Sequence, residues 1–362
     1  MSSIFRVVSL FSGIGGFEEG LKNSKMDFET VFASEIDKYA VQTYGSNFSL
    51  KNMHGDIKKI NEKDIPDHDL LCAGFPCQSF SVAGKREGFN DIRGTLFFDI
   101  VRIIKEKKPK YILLENVKNL VSHNETKTIK TILQNISNCD YTFDFTIINS
   151  HEAGVPQSRE RTYIFGIYKH KVEPFNNDIR STKVNEIKKW ANINKLNTMN
   201  FFNNVKFDNK EKFLIDVIEN NVDEKYYLNS DSVKRYISST KIEDNNINQG
   251  KILKIIDLPK EVHNDLDRQR RVYSIHGISP TLLARSDSTK ILLKDNNIFR
   301  IRKVTPIENF KIQGFDEEFV NNIKKNGVSE TQLYKQSGNA VSPPVITGII
   351  NSFEELYKNG KI

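Results

Sequence analysis

Short apolar runs alternate with segments of helical periodicity through the first half of the chain, and this alternation restricts the possible folds. Helices are predicted over Gly16–Lys22 and Leu96–Lys107, and Asp37 can cap another that begins at Lys38. Because strands joined through helices pair in parallel, the pattern predicts a doubly wound α/β domain with a mainly parallel sheet. The predicted strands are Arg6–Phe11, Thr30–Ser34, Asp69–Ala73, Tyr111–Leu114 and Tyr163–Ile167.

The later part of the chain has a different character. From about residue 171 to about residue 297, Asn, Lys, Asp and Ile dominate and the hydrophobic periodicity is poor. Such a stretch could be a disordered insert, but its embedded aromatic residues favour a small folded domain. The length of 362 residues suffices for one large domain and a smaller one, and the chain ends in an apolar helix. The aromatic residues are Phe201, Phe202, Phe213, Tyr226 and Tyr227.

Charge, cysteine content and the N-terminus exclude several classes of protein. The net charge of +7 favours a polyanionic partner, but this indication is weak because many basic proteins bind no nucleic acid. Three cysteines without a CxxC pair argue against a disulfide framework or a zinc site, and the scattered histidines predict no metal. Neither a membrane span nor a signal peptide is apparent, so a cytoplasmic protein is expected.

A glycine-rich turn, Phe11-Ser-Gly-Ile-Gly-Gly16, separates the first predicted strand from the first helix. Glycines let the backbone approach a ligand, and the following helix N-terminus favours an anionic group. Glu35 lies 22 residues after Gly13, where a Rossmann-type fold places a carboxylate on ribose hydroxyls, and Asp56 could accept from an adenine amine. Each feature alone also fits a tight turn, a helix cap or a solvated carboxylate, but their order favours a cofactor site.

Cys77 follows a buried-strand pattern in the stretch Ala73-Gly-Phe-Pro-Cys-Gln-Ser-Phe-Ser81. Open α/β sheets bind ligands at the carboxyl ends of their strands, which places Cys77 beside the predicted cofactor. Residues 82–95 are rich in glycine and charge, and predict a mobile basic loop that closes over an anionic substrate. Most free cysteines are buried small hydrophobes, which fits Cys72 and Cys139 but fits Cys77 poorly because its neighbours are polar.

The sequence PCQSFS around Cys77, together with Glu115-Asn-Val117, resembles the C5-cytosine DNA methyltransferase family. The similarity runs in order over roughly residues 1–170 and 300–362. It is especially close to the small bacterial restriction–modification members over INEKDIPDHDLLCAGFPCQSFS and RGTLFFDIVRIIKEKKPK. The chain has SLFSGIGG where many members have LFAGxGG, and Ser158 within the QxRxR motif, but neither departure replaces a catalytic side chain. The resemblance implies a Rossmann-like S-adenosylmethionine-dependent methyltransferase domain and a smaller, loop-rich target-recognition domain.

The matching motifs imply a chemical role for each candidate side chain. Cys77 adds to carbon 6 of cytosine as a thiolate, which makes carbon 5 nucleophilic, and Glu115 donates or shares a proton at N3. Glu115 could instead cap the following helix. Arg159 and Arg161 position the loop, the phosphate and the cytosine carbonyl, although an ion pair within their own cluster also fits. No side-chain base for the carbon 5 proton is identified, and water is a candidate.

S-adenosyl-L-methionine is the implied methyl donor, with S-adenosyl-L-homocysteine as its product. The resemblance assigns cofactor contacts to the glycine-rich turn, to the ends of the next strands and to the motif around Asn339. The candidate cofactor residues are Phe11, Ser12, Gly13, Gly15, Gly16, Glu35, Ile36, Asp56, Ile57, Gly74, Pro76, Leu96, Asn339 and Val341.

Double-stranded DNA is the implied partner, and its target base must leave the stack to react. The segments 268–274 and 279–282 resemble the end of the family's target-recognition domain, with Arg271 and Thr281 at usual DNA-contacting positions. Arginine suits guanine or a phosphate, and a charged solvated loop fits Arg268 and Arg270 equally well. Residues of about 176–265 align with nothing recognisable, so the DNA sequence that is read is not predicted. The candidate DNA contacts are Ser81, Lys85, Arg93, Arg268, Arg271 and Thr281.

The predicted enzyme is a monomeric DNA (cytosine-5)-methyltransferase that protects DNA from a cognate restriction endonuclease. Its catalytic domain is predicted at residues 1–175 and 333–362, and its recognition domain at 176–332. A Rossmann oxidoreductase explains the glycine turn but not the Cys77 and Glu115 motifs, and an inactive DNA-binding relative would have lost one of these two residues. A tRNA methyltransferase of the same family is the alternative, and the roughly 130 residues between the two similar portions argue against it.

Overall fold

The computed structural model describes residues 4–76, 96–178, 181–207, 210–242, 247–285, 289–295 and 298–360. The chain divides into two compact units. Unit 1 comprises Met1–Ile148, Glu160–Lys206 and Val345–Ile362, and unit 2 comprises Asn149–Arg159 and Phe207–Pro344. Within these described ranges, no helix is both long enough and apolar enough to span a membrane.

Unit 1 is built on a seven-stranded sheet. Its strands are β1 (Phe5–Leu10), β2 (Phe28–Ser34), β3 (Met53–His54), β4 (Leu70–Gly74), β5 (Tyr111–Val117), β6 (Tyr141–Asn149) and β7 (Glu160–Tyr168). They lie in the order β3-β2-β1-β4-β5-β7-β6, parallel from β3 to β5, whereas β7 runs antiparallel to β5. The predicted mainly parallel α/β fold is confirmed.

Ten α-helices occur in the described part of the chain. They are α1 (Gly16–Lys22), α2 (Lys38–Tyr44), α3 (Leu96–Lys107), α4 (Lys127–Ser137), α5 (Thr182–Ile193), α6 (Asp231–Ser239), α7 (Pro306–Gln313), α8 (Glu317–Ile323), α9 (Glu330–Asn339) and α10 (Pro343–Lys358). The predicted cap of α2 is confirmed, because the Asp37 carboxylate accepts hydrogen bonds from the Tyr39 and Ala40 amides.

Helices cover both faces of the unit 1 sheet. Successive side chains of a strand point to opposite faces. On β5, Ile112 and Leu114 belong to the core that includes residues of α3, α4 and α5. Tyr111 points the other way, and its ring lies 4.6 Å from that of Phe353 on α10. Burial on both faces explains why the parallel strands read as continuous apolar runs.

Unit 2 contains a four-stranded sheet in the order β11-β10-β9-β8. Its strands are β8 (Lys254–Asp257), β9 (Arg271–Ser274), β10 (Lys290–Asp295) and β11 (Ile298–Lys303). β9 and β10 are parallel, while the other two pairs are antiparallel. Two hydrophobic clusters pack around this sheet. One includes Ile291 and the other includes Val233. The irregular region therefore contains a folded unit.

The compact units divide the chain elsewhere than at residues 175 and 332. Residues 176–206 pack with unit 1, because Lys188 of α5 forms ion pairs with Asp144 and Asp178 and the Phe201 ring stacks 4.2 Å from that of Phe165. At the other end, α9 packs on α7 within unit 2. The region of poor hydrophobic periodicity in the sequence does not coincide with either boundary between the compact units.

Candidate active site

The carboxyl ends of β4 and β5 bring two predicted site segments together. Gly74 pairs directly with Glu115 across the parallel ladder. The Glu115 side chain is nearly buried, and its Oε1 lies 3.2 Å from Nε of Arg161 on β7. Arg161 Nη1 donates to the Glu160 carbonyl at 2.9 Å, which fixes the plane of the guanidinium. Glu115 and Arg161 thus form one charged pair at the edge where open α/β sheets bind ligands.

Asn116 holds the chain where it leaves β4. Its side chain is buried, and its Nδ2 donates to the Phe75 carbonyl at 2.8 Å, while its Oδ1 accepts from the Val117 amide at 2.8 Å. The exposed Pro76 follows, and Cys77 lies outside the described residues, as do Ser81, Lys85 and Arg93. Asn116 is a site residue that sequence reasoning missed, although it stands inside the Glu115-Asn-Val117 motif.

The glycine-rich turn has the backbone conformation that its sequence requires. Phe11, Gly13 and Gly15 have φ angles of 55°, 56° and 92°, in the left-handed region that favours glycine. A Cβ on Gly15 would lie 2.4 Å from the Phe48 ring, whereas a Cβ on Gly13 would meet none of the described residues within 4 Å. The backbone at Gly13 therefore borders open space where a ligand can approach. Ser12 ties the turn to β2 through bonds from its amide and hydroxyl to the Ser34 carbonyl.

Glu35 braces this turn from the end of β2. Its Oε2 accepts from the Gly13 amide at 2.9 Å, and its Oε1 accepts from the Ile36 and Asp37 amides at 2.8 Å. Ile36 is 76% exposed. The Asp56 carboxylate lies after β3 and accepts from the Lys58 amide at 3.1 Å. Glu35, Ile36 and Asp56 all follow strands of the same parallel set as β1 and β4.

The remaining cofactor candidates are less accessible or lie in the other unit. The Ile57 side chain is in the core of unit 1, and its carbonyl accepts from Arg102 Nη2 at 2.6 Å. Gly16 and Leu96 begin α1 and α3, where Gly16 is buried and Leu96 half-buried. Asn339 is exposed at the end of α9, and Val341 is half-buried two residues later, both in unit 2.

Arg159 is a buried residue of unit 2, whereas Glu115 and Arg161 belong to unit 1. Its Nη2 donates to the carbonyls of Gly338 and Ala340, at 3.0 and 2.8 Å. A Cβ on Gly338 would lie 2.3 Å from the Leu283 carbonyl oxygen, so only glycine fits there. Arg159 therefore fixes the turn that carries Asn339.

The candidate DNA contacts of unit 2 lie close together. Arg268, Arg271 and Thr281 line one cavity. Arg268 Nη2 donates to the Thr281 carbonyl at 3.0 Å, and the Thr281 hydroxyl donates to the Ser158 carbonyl at 2.7 Å. Arg271 is partly exposed, while Arg270 has a local structural role in pairing with Asp267 and with the Leu258 carbonyl.

The other two cysteines behave as predicted. Cys72 and Cys139 are free and buried, and burial raises the pKa of each thiol, so both stay protonated as small hydrophobes. In the part of the chain that the structure describes, no cluster of three or more His, Cys, Asp or Glu side chains could hold a metal ion.

Comparison with known proteins identifies relatives over the whole length. The family described as C-5 cytosine-specific DNA methylase matches residues 5–355. The type II methyltransferase M1.ScrFI of Lactococcus lactis subsp. cremoris is 38% identical over 357 residues, which cover 99% of this chain and 80% of the relative. The type II methyltransferase M.NlaX of Neisseria lactamica is 35% identical over 95% of its length and 96% of this chain.

Solved structures share the fold at low sequence identity. The crystal structure of S. pombe Dnmt2 methyltransferase has a TM-score of 0.68 and 19% identity, over 98% of this chain and 99% of that one. The Entamoeba histolytica methyltransferase EhMeth has a TM-score of 0.66 and 20% identity, over 98% and 99% of the two chains.

Proposed function

Because this chain belongs to the C-5 cytosine-specific DNA methylase family, we propose that it methylates cytosine through a covalent bond between Cys77 and the base. The chain is a DNA (cytosine-5)-methyltransferase. One observation supports the mechanism above all others. The β4–β5 register sets Gly74 opposite Glu115, so the chain that leads to Cys77 starts beside the Glu115–Arg161 pair.

The reaction proceeds by addition and elimination on the cytosine ring. The Cys77 thiolate forms a bond to carbon 6, and the displaced ring electrons move toward N3, where Glu115 donates or shares a proton. S-adenosylmethionine, when bound, supplies an electrophilic methyl group for carbon 5. The carbon 5 proton then leaves to water, the carbon–sulfur bond breaks, Cys77 departs as a thiolate, and the N3 proton returns to Glu115. The ring regains its aromatic bonding as 5-methylcytosine.

Arg159 and Arg161 have different tasks in this mechanism. The Nε of Arg161 contacts Glu115. The other N–H groups of the guanidinium can donate to the cytosine carbonyl at the same time. Arg159 donates hydrogen bonds to the Gly338 and Ala340 carbonyls, and it is therefore a positioning residue for the turn at Asn339. Asn116 is a second positioning residue, since it holds the Phe75 carbonyl two residues before Cys77.

The residues around the glycine-rich turn fit S-adenosylmethionine. Gly13 borders open space, the exposed Ile36 offers an apolar surface to an adenine ring, and Asp56 and Glu35 offer carboxylate oxygens. Each carboxylate oxygen has two acceptor positions, so Glu35 can accept from ribose hydroxyls while it still braces the turn. Asn339 and Val341 of unit 2 stay candidate cofactor contacts on the resemblance of their motif to the family.

We assign target recognition to unit 2 and the substrate to a cytosine flipped out of duplex DNA. Arg268, Arg271 and Thr281 are its candidate contacts, and Ser81, Lys85 and Arg93 are candidates on the Cys77 loop. The relatives named type II methyltransferases support a role in protecting DNA from a cognate restriction endonuclease. The enzyme would then act as a monomer in the bacterial cytoplasm.

Replacement of the nucleophile tests the proposal. Cys77→Ser should abolish transfer of labelled methyl groups to duplex DNA and preserve DNA binding, while Cys139→Ser, at a buried cysteine, should retain activity. Normal turnover by Cys77→Ser would refute the covalent mechanism. Bisulfite sequencing of DNA from cells that express the protein should reveal 5-methylcytosine within one short sequence. Faster labelling of tRNA than of duplex DNA would overturn the substrate assignment.

A further inference from the structure

A row of buried amide groups crosses unit 2 between the recognition segment and the turn at Asn339. The Gln157 Oε1 accepts from the Leu282 amide at 3.0 Å, and its Nε2 donates to the Gln313 Oε1 at 2.6 Å. The Gln313 Nε2 in turn donates to the Ala340 carbonyl at 2.6 Å. Gln157 and Gln313 are both completely buried. Neither side chain has a role in the proposed chemistry.

The backbone groups at the two ends fix the direction of every hydrogen bond in this row. The Leu282 amide can only donate, so it must meet the oxygen of Gln157. The Ala340 carbonyl can only accept, so it must meet the nitrogen of Gln313. Flipping either side-chain amide would place two donors or two acceptors face to face in the protein interior. Only one orientation of the two side-chain amides therefore satisfies every hydrogen bond in the row.

Each end of the row touches a segment with a candidate function. Leu282 follows Thr281, whose carbonyl accepts from Arg268, and Ser158 and Ser279 join the segments 156–159 and 279–282 through two backbone hydrogen bonds. Ala340 follows the exposed Asn339, and the backbone of Gly338 packs against that of Leu283. A shift of the recognition segment must be followed by the turn, because buried amides that separate have no solvent to replace the lost partner.

We propose that Gln157 and Gln313 form a relay that couples DNA recognition by the segment 279–283 to cofactor binding by the turn 338–341. Gln313 acts as a positioning residue that contacts neither ligand. Binding of the correct DNA fixes the position of the segment 279–283. The relay then fixes the position of the turn 338–341, and the cofactor binds more tightly. By thermodynamic linkage, the cofactor strengthens DNA binding by the same factor. The inference rests on the proposed function, which assigns DNA to one end and cofactor to the other.

The coupling can be measured with S-adenosylhomocysteine and a duplex that carries the sequence found by bisulfite sequencing. Calorimetric titration gives the dissociation constant of S-adenosylhomocysteine with and without this duplex. For the unaltered protein, the ratio of the two constants should lie at roughly 5- to 150-fold, as for other coupled sites. Gln313→Leu removes both hydrogen bonds and should bring the ratio to within about twofold of one. The affinity without DNA should change far less.

Two further variants separate the relay from a general loss of packing. Gln313→Met keeps the length of the side chain but has neither the acceptor for Gln157 nor the donor to Ala340, so it should also lower the ratio. Ile291→Val trims a buried side chain of the unit 2 core outside the relay and should leave the ratio unchanged. Retention of the full ratio by a folded Gln313→Met or by a folded Gln313→Leu would overturn the proposal. So would an unaltered protein that methylates DNA but shows no coupling, whereas one that fails to methylate DNA would refute the proposed function instead.

Discussion

Glu18 is an acid buried in the first turn of α1, directly after the glycine-rich turn. Its Oε1 accepts a hydrogen bond from the Tyr44 hydroxyl at 3.2 Å, and the Tyr44 ring packs beside Gly15. Burial raises the pKa of Glu18, despite hydrogen bonds that act in the opposite direction, and Glu18 in turn contributes to the raised pKa of Cys72.

The protonation of Glu18 makes the stability of unit 1 depend on pH. The unfolded chain loses this proton near pH 4.3, while the folded protein retains it to higher pH. Its contribution to stability is therefore complete below about pH 4 and is lost as pH rises toward the folded-state pKa, at up to about 1.4 kcal/mol per pH unit. Glu18→Gln carries no such proton, so its stability relative to the unaltered protein should increase from about pH 5 to about pH 7.

Urea unfolding of both proteins at the two pH values checks this expectation. Glu29→Gln, on the exposed surface of β2, controls for the loss of one acid elsewhere in unit 1. An equal difference between Glu18→Gln and the unaltered protein at both pH values would show that Glu18 is ionised in the folded state.

Three successive residues, Asn124, Glu125 and Thr126, have positive φ angles of 48°, 52° and 71° in the connection before α4. An L-residue in this region costs about 1–2 kcal/mol, and glycine avoids that cost but has about 0.5–1 kcal/mol more backbone entropy to lose. Glu125→Gly should therefore be more stable than Glu125→Ala by about 0.5–1 kcal/mol, since both variants lack the same exposed side chain. Thermal unfolding of the two variants measures the difference, and a less stable glycine variant would contradict it.

The predictability of individual site residues from sequence depended on how local their contacts are. Asp37 caps α2 through amides two and three residues later, and its local pattern was sufficient to predict that cap. Gln313 touches residues 156 and 27 positions away, and nothing near it in the chain indicates either partner. Arg159 was predicted from its motif, but its contacts with Gly338 and Ala340 could not be, because they span about half of the chain.

At the level of the elements, the predicted strands and helices of the first half of unit 1 are confirmed within a few residues. β6 (Tyr141–Asn149) was not predicted, although Tyr141, Phe143, Phe145 and Ile147 alternate with polar residues. Such alternation usually indicates a strand with one solvated face, whereas both faces of β6 are buried. Polar side chains on one face of β6 pair with residues of α5, which lies more than 30 positions later in the chain. No local sequence pattern indicates this pairing.

The pairing is an ion cluster at the polar face of β6. Lys188 Nζ lies 2.9 Å from Asp144 and 3.5 Å from Asp178, and all three side chains are buried. Burial raises the pKa of Asp144, against the opposing effect of Lys188. Removal of one partner from a buried ion pair costs about 3–5 kcal/mol because it strands the other charge. Lys188→Met should reduce the stability of unit 1 by this amount.

The neighbouring Lys189 provides the control for this prediction. Lys189 is exposed on the same helix, and Lys189→Met should change the free energy of unfolding by no more than about 0.5 kcal/mol. Urea unfolding of the two variants, followed by circular dichroism, measures the contrast. Equal stability of Lys188→Met and Lys189→Met would show that the cluster does not hold residues 176–206 on unit 1.

For the molecule as a whole, the two units are interleaved along the chain. Residues 149–159 belong to unit 2, while the residues on either side of them in the sequence belong to unit 1. The motif from Gln157 to Arg161 thus supplies Gln157 and Arg159 to one unit and Arg161 to the other. A sequence motif normally suggests one site, and here a single motif contributes residues to both compact units.

The net charge of +7 gives the last expectation, which concerns how salt affects DNA binding. DNA binding releases counterions from phosphates, so the logarithm of the binding constant should fall linearly with the logarithm of salt concentration. Arg271→Ala should reduce that slope by about one if the arginine contacts a phosphate. If it reads a base instead, the variant should lose discrimination by about 1–3 kcal/mol at one position of the target sequence. Lys358→Ala removes the same charge from α10 of unit 1 and should leave slope and sequence preference unchanged. Fluorescence anisotropy with labelled duplexes at several salt concentrations measures both quantities, and an Arg271→Ala variant that alters neither would remove Arg271 from the DNA interface.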